Sequence, residues 1–191
     1  MALNINFGSS GFNREGYINV DIRESVNPDV LHDLNVFPYP FEDSSVDRIE
    51  MTHILEHLEK PFDVMKELHR ILKPGGELYI AVPHFSRGFT HAEHEHGFDV
   101  SFPYYFREDL FPEQFYGSHF ELVSLRLNWI SQITMRYLGK LGIGGITRAI
   151  LRGLNMVITF LANANPMLCS RIWCFWVGGF EEIEFTFAAQ K

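Results

Sequence analysis

Apolar positions along the 191 residues change rhythm several times, and each rhythm predicts an element. ALNINF (2–7) is a short apolar-rich run that ends in Gly8-Ser9-Ser10-Gly11, which predicts a strand entering a glycine turn. GYINVDI (16–22) predicts a second strand ending at Asp21, and DVLHDL (29–34) a third ending at Asp33. The prolines and serines of 38–45 predict a loop, and VDRIEMT (46–52) a fourth strand. The period then lengthens. Val64, Leu68, Ile71 and Leu72 fall on one helical face, while Lys66, Glu67 and Arg70 point to water. Pro61 suits the first turn of that helix, and Pro74-Gly75-Gly76 ends it. ELYIAVP (77–83) is almost continuously apolar, as a strand buried on both faces requires. A loop rich in histidine and aromatic residues (84–105) follows, then a predicted helix over 107–116 and a strand over 119–129. EEIEFTF (181–187) alternates and predicts a last strand. Strands alternating with helical stretches favour an α/β sheet.

Residues 131–175 read as partly helical. Ile146, Ile150, Leu154, Val157, Ile158 and Leu161 share one face; Arg148, Arg152, Asn155 and Thr159 share the other. One reading packs the apolar face on the sheet or on a second subunit as a homodimer. The other makes it an interfacial helix or a lid. Asn155, Asn163, Asn165 and Pro166 argue against a membrane span.

Length and composition, with 46% hydrophobic and 21% charged residues, suit one soluble domain over 1–191, with 130–178 as a helical insertion. Cys169 and Cys174 lack the second ligand pair of a structural zinc site and read as buried free thiols. The N-terminus has neither a basic start nor a long apolar run, so a cytoplasmic location is expected, with membrane association as a variant. The net charge of -8 is unevenly spread, because residues 122–180 contain no Asp or Glu but six basic residues. An acidic body disfavours nucleic acid. The basic, apolar segment at 146–162 can instead face a membrane or an anionic substrate.

Three groups of residues can carry chemistry. His53, Glu56 and His57 fit the H-x-x-E-H pattern of one group of zinc proteases, but such a site needs a third protein ligand that the sequence does not mark. The loop PHFSRGFTHAEHEHGFD (83–99) gathers His91, His94 and His96 with Glu93, Glu95 and Asp99. It reads as polar structure, as a source of a general base, or as ligands for zinc or iron. No metal ligand is assigned from it, although a metal-dependent enzyme stays as an alternative. Third, Gly8, Asp21 and Asp33 end successive strands, where α/β sheets bind ligands. A glycine turn admits close backbone approach, and an acid at the next strand end can take a ribose. The aromatics Phe98, Phe102, Tyr104, Tyr105 and Phe106 read as core rather than as an acceptor pocket.

The ordered stretches LNINFG (3–8), GYINVD (16–21), HDL (32–34), PFEDSSVD (40–47), HILEHL (53–58) and ELHRILKPGG (67–76) resemble the class I S-adenosylmethionine-dependent methyltransferases of the small type 11 sort. The resemblance covers about 3–83 and weakens to about 129. It implies a Rossmann-like, mostly parallel sheet with an antiparallel last strand and a C-terminal helical insertion before it. It implies S-adenosylmethionine held by Asn6, Gly8, Asp21, Asp33, Leu34 and His53. It also implies catalytic roles for His53 and His84 on the reaction side and His94 as base, with a small-molecule, sugar or lipid-like acceptor. Asn6 and Phe7 stand where the family has glycine and cysteine, so a catalytically degenerate binding protein on the same fold is the other alternative. The resemblance places His53 at a strand end beside the cofactor, which sets the protease reading aside.

Overall fold

The computed structural model describes residues 2–88, 91–140 and 142–191. Seven strands form one sheet: β1 (Asn4–Phe7), β2 (Ile18–Asp21), β3 (Val30–Leu31), β4 (Val46–Thr52), β5 (Leu72–Pro83), β6 (His119–Asn128) and β7 (Glu182–Gln190), in the order β3-β2-β1-β4-β5-β7-β6. The first five strands are parallel, and β7 runs antiparallel between β5 and β6. This is the Rossmann-like, mostly parallel arrangement that the resemblance implies, with the antiparallel last strand in its expected place.

Helix α1 (Pro61–Ile71) buries Val64, Met65, Leu68 and Ile71, the face set by the 3.6-residue period. Phe7, Phe185 and Phe187 are fully buried, and Phe102 and Phe106 pack against the last two of these with ring centroids at 5.7 and 5.9 Å, tilted and edge-on. The aromatics after the histidine loop thus belong largely to the core. The predicted helix over 107–116 does not form. A single 3-10 turn at Pro112–Gln114 stands in its place, because Pro112 in mid-segment lacks the N–H that an α-helix would need there. The third strand shrinks to two residues, because Asp33 turns the chain by accepting the Asn35 N–H at 2.9 Å.

Between β6 and β7 lie α2's successors in the chain. With α2 at Phe85–Gly88, these are α3 (Gln132–Tyr137), α4 (Gly145–Ala164) and α5 (Pro166–Arg171). Helix α4 has the sidedness opposite to the one expected from packing. Its polar face meets the protein: Asn163 bonds both the N–H and the C=O of Leu127 at 2.8 Å, Thr159 Oγ1 accepts from Trp129 N–H at 3.2 Å, and Asn155 Oδ1 accepts from Ile130 N–H at 2.9 Å. β6 is an edge strand whose free side needs hydrogen-bond partners; Asn163 supplies them at Leu127, and Thr159 and Asn155 bond the two residues just past Asn128. The apolar face is left outside, with Ile146 82%, Phe160 75% and Met156 70% exposed. By length and composition α4 could cross a membrane, but these bonds hold it along the sheet edge. Cys169 and Cys174 are buried free thiols.

Candidate active site

The carboxyl ends of β1, β4 and β5 open onto a cleft of about 520 Å³, lined by Asn6, Gly8, Ser9, Thr52, His53 and Tyr79 among others. Its far wall is α3, through Ile133, Arg136 and Tyr137, and Glu182 and Glu184 of β7 close one end. The volume is within the ordinary range for small-molecule sites.

Gly8 follows β1 at φ +67°, a backbone angle that glycine adopts without strain, and a Cβ there would stand 2.1 Å from Ile54 Cδ1. Asn6 lines the cleft but does not plug it. Its amide donates to Asn19 Oδ1 at 3.0 Å and to the Phe12 carbonyl at 3.2 Å, tying the glycine loop to β2. Phe7 points the other way, into the core against Tyr39 and Phe41. Ser9 is 3% exposed, and its Oγ has no hydrogen-bond partner among the described residues.

Asp21 ends β2 as expected, yet it does not line the cleft. Its Oδ2 accepts from Ser10 N–H at 2.8 Å, and its Oδ1 accepts from Arg23 N–H at 2.9 Å and from Arg23 Nε at 3.3 Å. Burial pushes the carboxyl pKa up, but the two backbone N–H groups and the guanidinium outweigh it and hold it below the usual range. Asp33 caps its own turn, and Leu34 is buried, its carbonyl accepting from the Tyr39 hydroxyl at 2.8 Å. Neither lines the cleft.

His53 is the hinge of the site. It lies one residue past β4 in the left-handed region, at φ +54°. Its Nε2 bonds Glu182 Oε2 at 2.8 Å, and its Nδ1 stands 3.4 Å from Glu56 Oε1. Burial pushes its pKa down, but the two carboxylates outweigh burial and raise it to about 9. With Nε2 bonded to one carboxylate and Nδ1 facing a second, His53 is a positioned donor rather than a free base. His53 and His57 approach Glu56 Oε1 at 3.4 and 4.0 Å across a 3-10 turn at Leu55–His57, not from successive turns of one α-helix as in the protease pattern.

On the other side of His53 lies a second cleft of about 460 Å³, lined by Glu56, His57, His91, His94 and Arg87 among others. Helix α3 spans both clefts, since Ile133 lines each. The histidine loop therefore splits. His91 and His94 stack at 4.6 Å in this cleft, whereas His96 lies in a separate cavity beside Phe98. Asp99 pairs with Arg171 at 2.9 Å and caps Ser101. Phe89 and Thr90, just before His91 in sequence, lie outside the described residues.

His84 requires a correction. The expectation put it on the reaction side, but it is fully buried and lines neither cleft. Its Nδ1 accepts from Ser86 N–H at 3.2 Å, and its Nε2 meets Ser170 Oγ at 2.8 Å, so it locks the end of β5 onto α5. Burial pushes its pKa down to about 4, against a smaller upward pull from Asp99. Glu182, Ser9 and Tyr79 were not singled out in the sequence. The alternation of β7 holds the one available clue, since Glu182 and Glu184 share a face opposite Ile183, Phe185 and Phe187.

Residues 17–80 match the family described as a methyltransferase domain. The mostly parallel sheet with its antiparallel last strand is the one the ordered motifs imply. The chain has a class I methyltransferase fold. An S-adenosylmethionine-dependent methyltransferase from Archaeoglobus fulgidus is 16% identical, with 98% of this chain and 86% of that one covered and a TM-score of 0.57. One from Mesorhizobium loti is 10% identical, with 97% and 90% covered and a TM-score of 0.51. The cyclase SpnF is 13% identical, with 99% and 74% covered and a TM-score of 0.52, so this fold also carries a protein described by another chemistry. No curated protein sequence matches the chain.

The residues around this methyltransferase-fold cleft fit a nucleoside cofactor. Ser9 Oγ is a buried, unpartnered polar atom at the rim, beside the Gly8 turn. Each Asp21 oxygen spends one lone pair on a backbone N–H and keeps another. Arg23, whose side chain is half exposed, covers one of these.

Proposed function

We propose that this chain is an S-adenosylmethionine-dependent methyltransferase that acts on a small sugar- or lipid-like acceptor. One observation carries the reading: two clefts meet at His53, one under the glycine turn and one under the histidine loop. The cofactor, when bound, supplies an electrophilic methyl group. The protein's part is to hold the acceptor oxygen or nitrogen in line and to receive its proton. Gly8, Asn6 and Ser9 border the cofactor side. Asp21 takes the ribose hydroxyls once Arg23 swings aside, and Asp33 and Leu34 shape the turn beyond it. His94, in the second cleft, is placed to accept the acceptor's proton. Asp21→Ala is expected to weaken S-adenosylmethionine binding by about 1–3 kcal/mol, the scale of a charged hydrogen bond. Calorimetry on a folded variant checks it, and an unchanged affinity removes Asp21 from the site.

Ile54 packed against Gly8 favours a second reading, a binding protein that no longer takes the cofactor. Calorimetry of the wild type with S-adenosylmethionine and with its demethylated product separates the two. Heat of binding supports the transferase; silence with both ligands supports the degenerate protein.

The outward face of α4 extends the proposal to where the acceptor resides. Its apolar side chains stand exposed on a segment, 122–180, that carries six basic residues and no acid, the pattern of a helix lying on an anionic lipid surface. A cytoplasmic protein docked this way would meet its acceptor at the membrane. Phe160→Asp is expected to abolish co-sedimentation with vesicles of phosphatidylglycerol and phosphatidylcholine. A dimer in solution that Phe160→Asp splits, with no vesicle binding by either protein, would show that a second copy covers the face.

A further inference from the structure

Glu56 is fully buried, and neither of its carboxylate oxygens has a hydrogen-bond partner among the described residues. A buried carboxylate without hydrogen bonds is costly, and its presence calls for a cation. His53 stands to one side at 3.4 Å, but it is shared with Glu182. On the other side two imidazoles converge. His57 Nε2 and His94 Nε2 each lie 4.0 Å from Glu56 Oε1, and the potential ligand atoms of all three residues fall within 4.8 Å of one another. His57 is oriented from behind, since its Nδ1 meets the Glu93 carbonyl at 3.0 Å. That contact fixes Nδ1–H as the donor and leaves Nε2 as a lone-pair site facing Glu56. Glu95 N–H bonds the Glu56 carbonyl at 2.9 Å, which pins the histidine loop over the carboxylate.

We propose that Glu56, His57 and His94 hold a divalent transition-metal ion of the zinc class. Two imidazoles and one carboxylate are a borderline N/O set that suits Zn²⁺ or Fe²⁺ rather than Mg²⁺ or Ca²⁺. Around a metal with bonds near ~2.1 Å, ligand atoms stand roughly 3.4 Å apart in a tetrahedron. The two 4.0 Å separations close to that by small rotations of the rings. Three protein ligands leave a fourth position, the arrangement of zinc sites that bind an exchangeable oxygen. All three line the second cleft, so that position faces the space assigned to the acceptor, whose hydroxyl or carboxylate oxygen is the ligand class it would take. The metal site rests on its own geometry and stands whether or not the first cleft takes S-adenosylmethionine; with the ion bound, His94 is a ligand and no longer a proton acceptor.

The test uses the full chain without a histidine tag, stripped with chelator and titrated with Zn²⁺, and separately with Co²⁺ read by its visible absorption. One equivalent of Zn²⁺ per chain is expected, together with a Co²⁺ band of tetrahedral intensity. His94→Ala and His57→Ala should each weaken Zn²⁺ at least about 10-fold and erase the band, as ligand losses do. His119→Ala, which alters a histidine outside the cluster, should change neither. His94 lies in a loop, so His94→Ala keeps the test independent of any folding defect from changes at Glu56. Substoichiometric Zn²⁺ in the wild type overturns the proposal, and so does equal affinity in the wild type and His94→Ala.

Discussion

Glu182→Ala is expected to destabilise the protein by about 3–5 kcal/mol, the cost of removing one partner of a buried ion pair. Glu182 is 3% exposed at the start of β7. Its Oε2 takes His53 Nε2 at 2.8 Å, and its Oε1 takes Asn128 Nδ2 at 2.9 Å. Alanine would strand both donors and open a void between β4 and β6, where the two clefts are organised. Glu182→Gln keeps one carbonyl acceptor and the volume, so it should cost markedly less. Urea denaturation of the three proteins at neutral pH checks the order. Equal midpoints for Ala and wild type would mean that the carboxylate is not the tie between strands that its contacts describe.

The second large effect is acid lability centred on His84. In the folded protein its pKa is depressed to about 4, whereas an unfolded chain would titrate it near ~6.5. Below the unfolded value the unfolded chain binds a proton that the native ring refuses. Stability is therefore complete above that pH and falls as the pH drops through this window. The full loss is about 3 kcal/mol by the time pH 4 is reached. The cause is geometric as well as dielectric. Ser86 N–H points at Nδ1, and a protonated ring would set two donors against each other. His84→Gln cannot titrate, so its stability should fall less than the wild type's between pH 7 and pH 4. Carboxylates held low in the native state, Asp21 among them, add acid lability to both proteins and cancel in the difference. Parallel pH profiles for the two proteins would contradict the burial of a neutral His84.

Much of this protein was legible in its sequence because the legible parts are local. The apolar run of β5, the 3.6-residue stripe of α1 and the glycine after β1 each follow from neighbours a few residues apart, and the order of motifs fixed the fold. Asn6, Gly8 and His53 come to one cleft because strands of a parallel sheet end on the same edge. Tertiary structure decided what depends on distant partners. His84 carries the same chemistry as His94, but a serine 86 residues away turns it into a core fixture. Helix α4 has an apolar stripe that by itself argues for burial, yet the unpaired edge of β6 claims its polar side instead. Glu56 and His94 lie 38 positions apart, and only the fold of the histidine loop over the strand end brings their ligand atoms together. Periodicity reports which residues share a face; which face turns inward is set by the hydrogen-bonding needs of whatever lies against it.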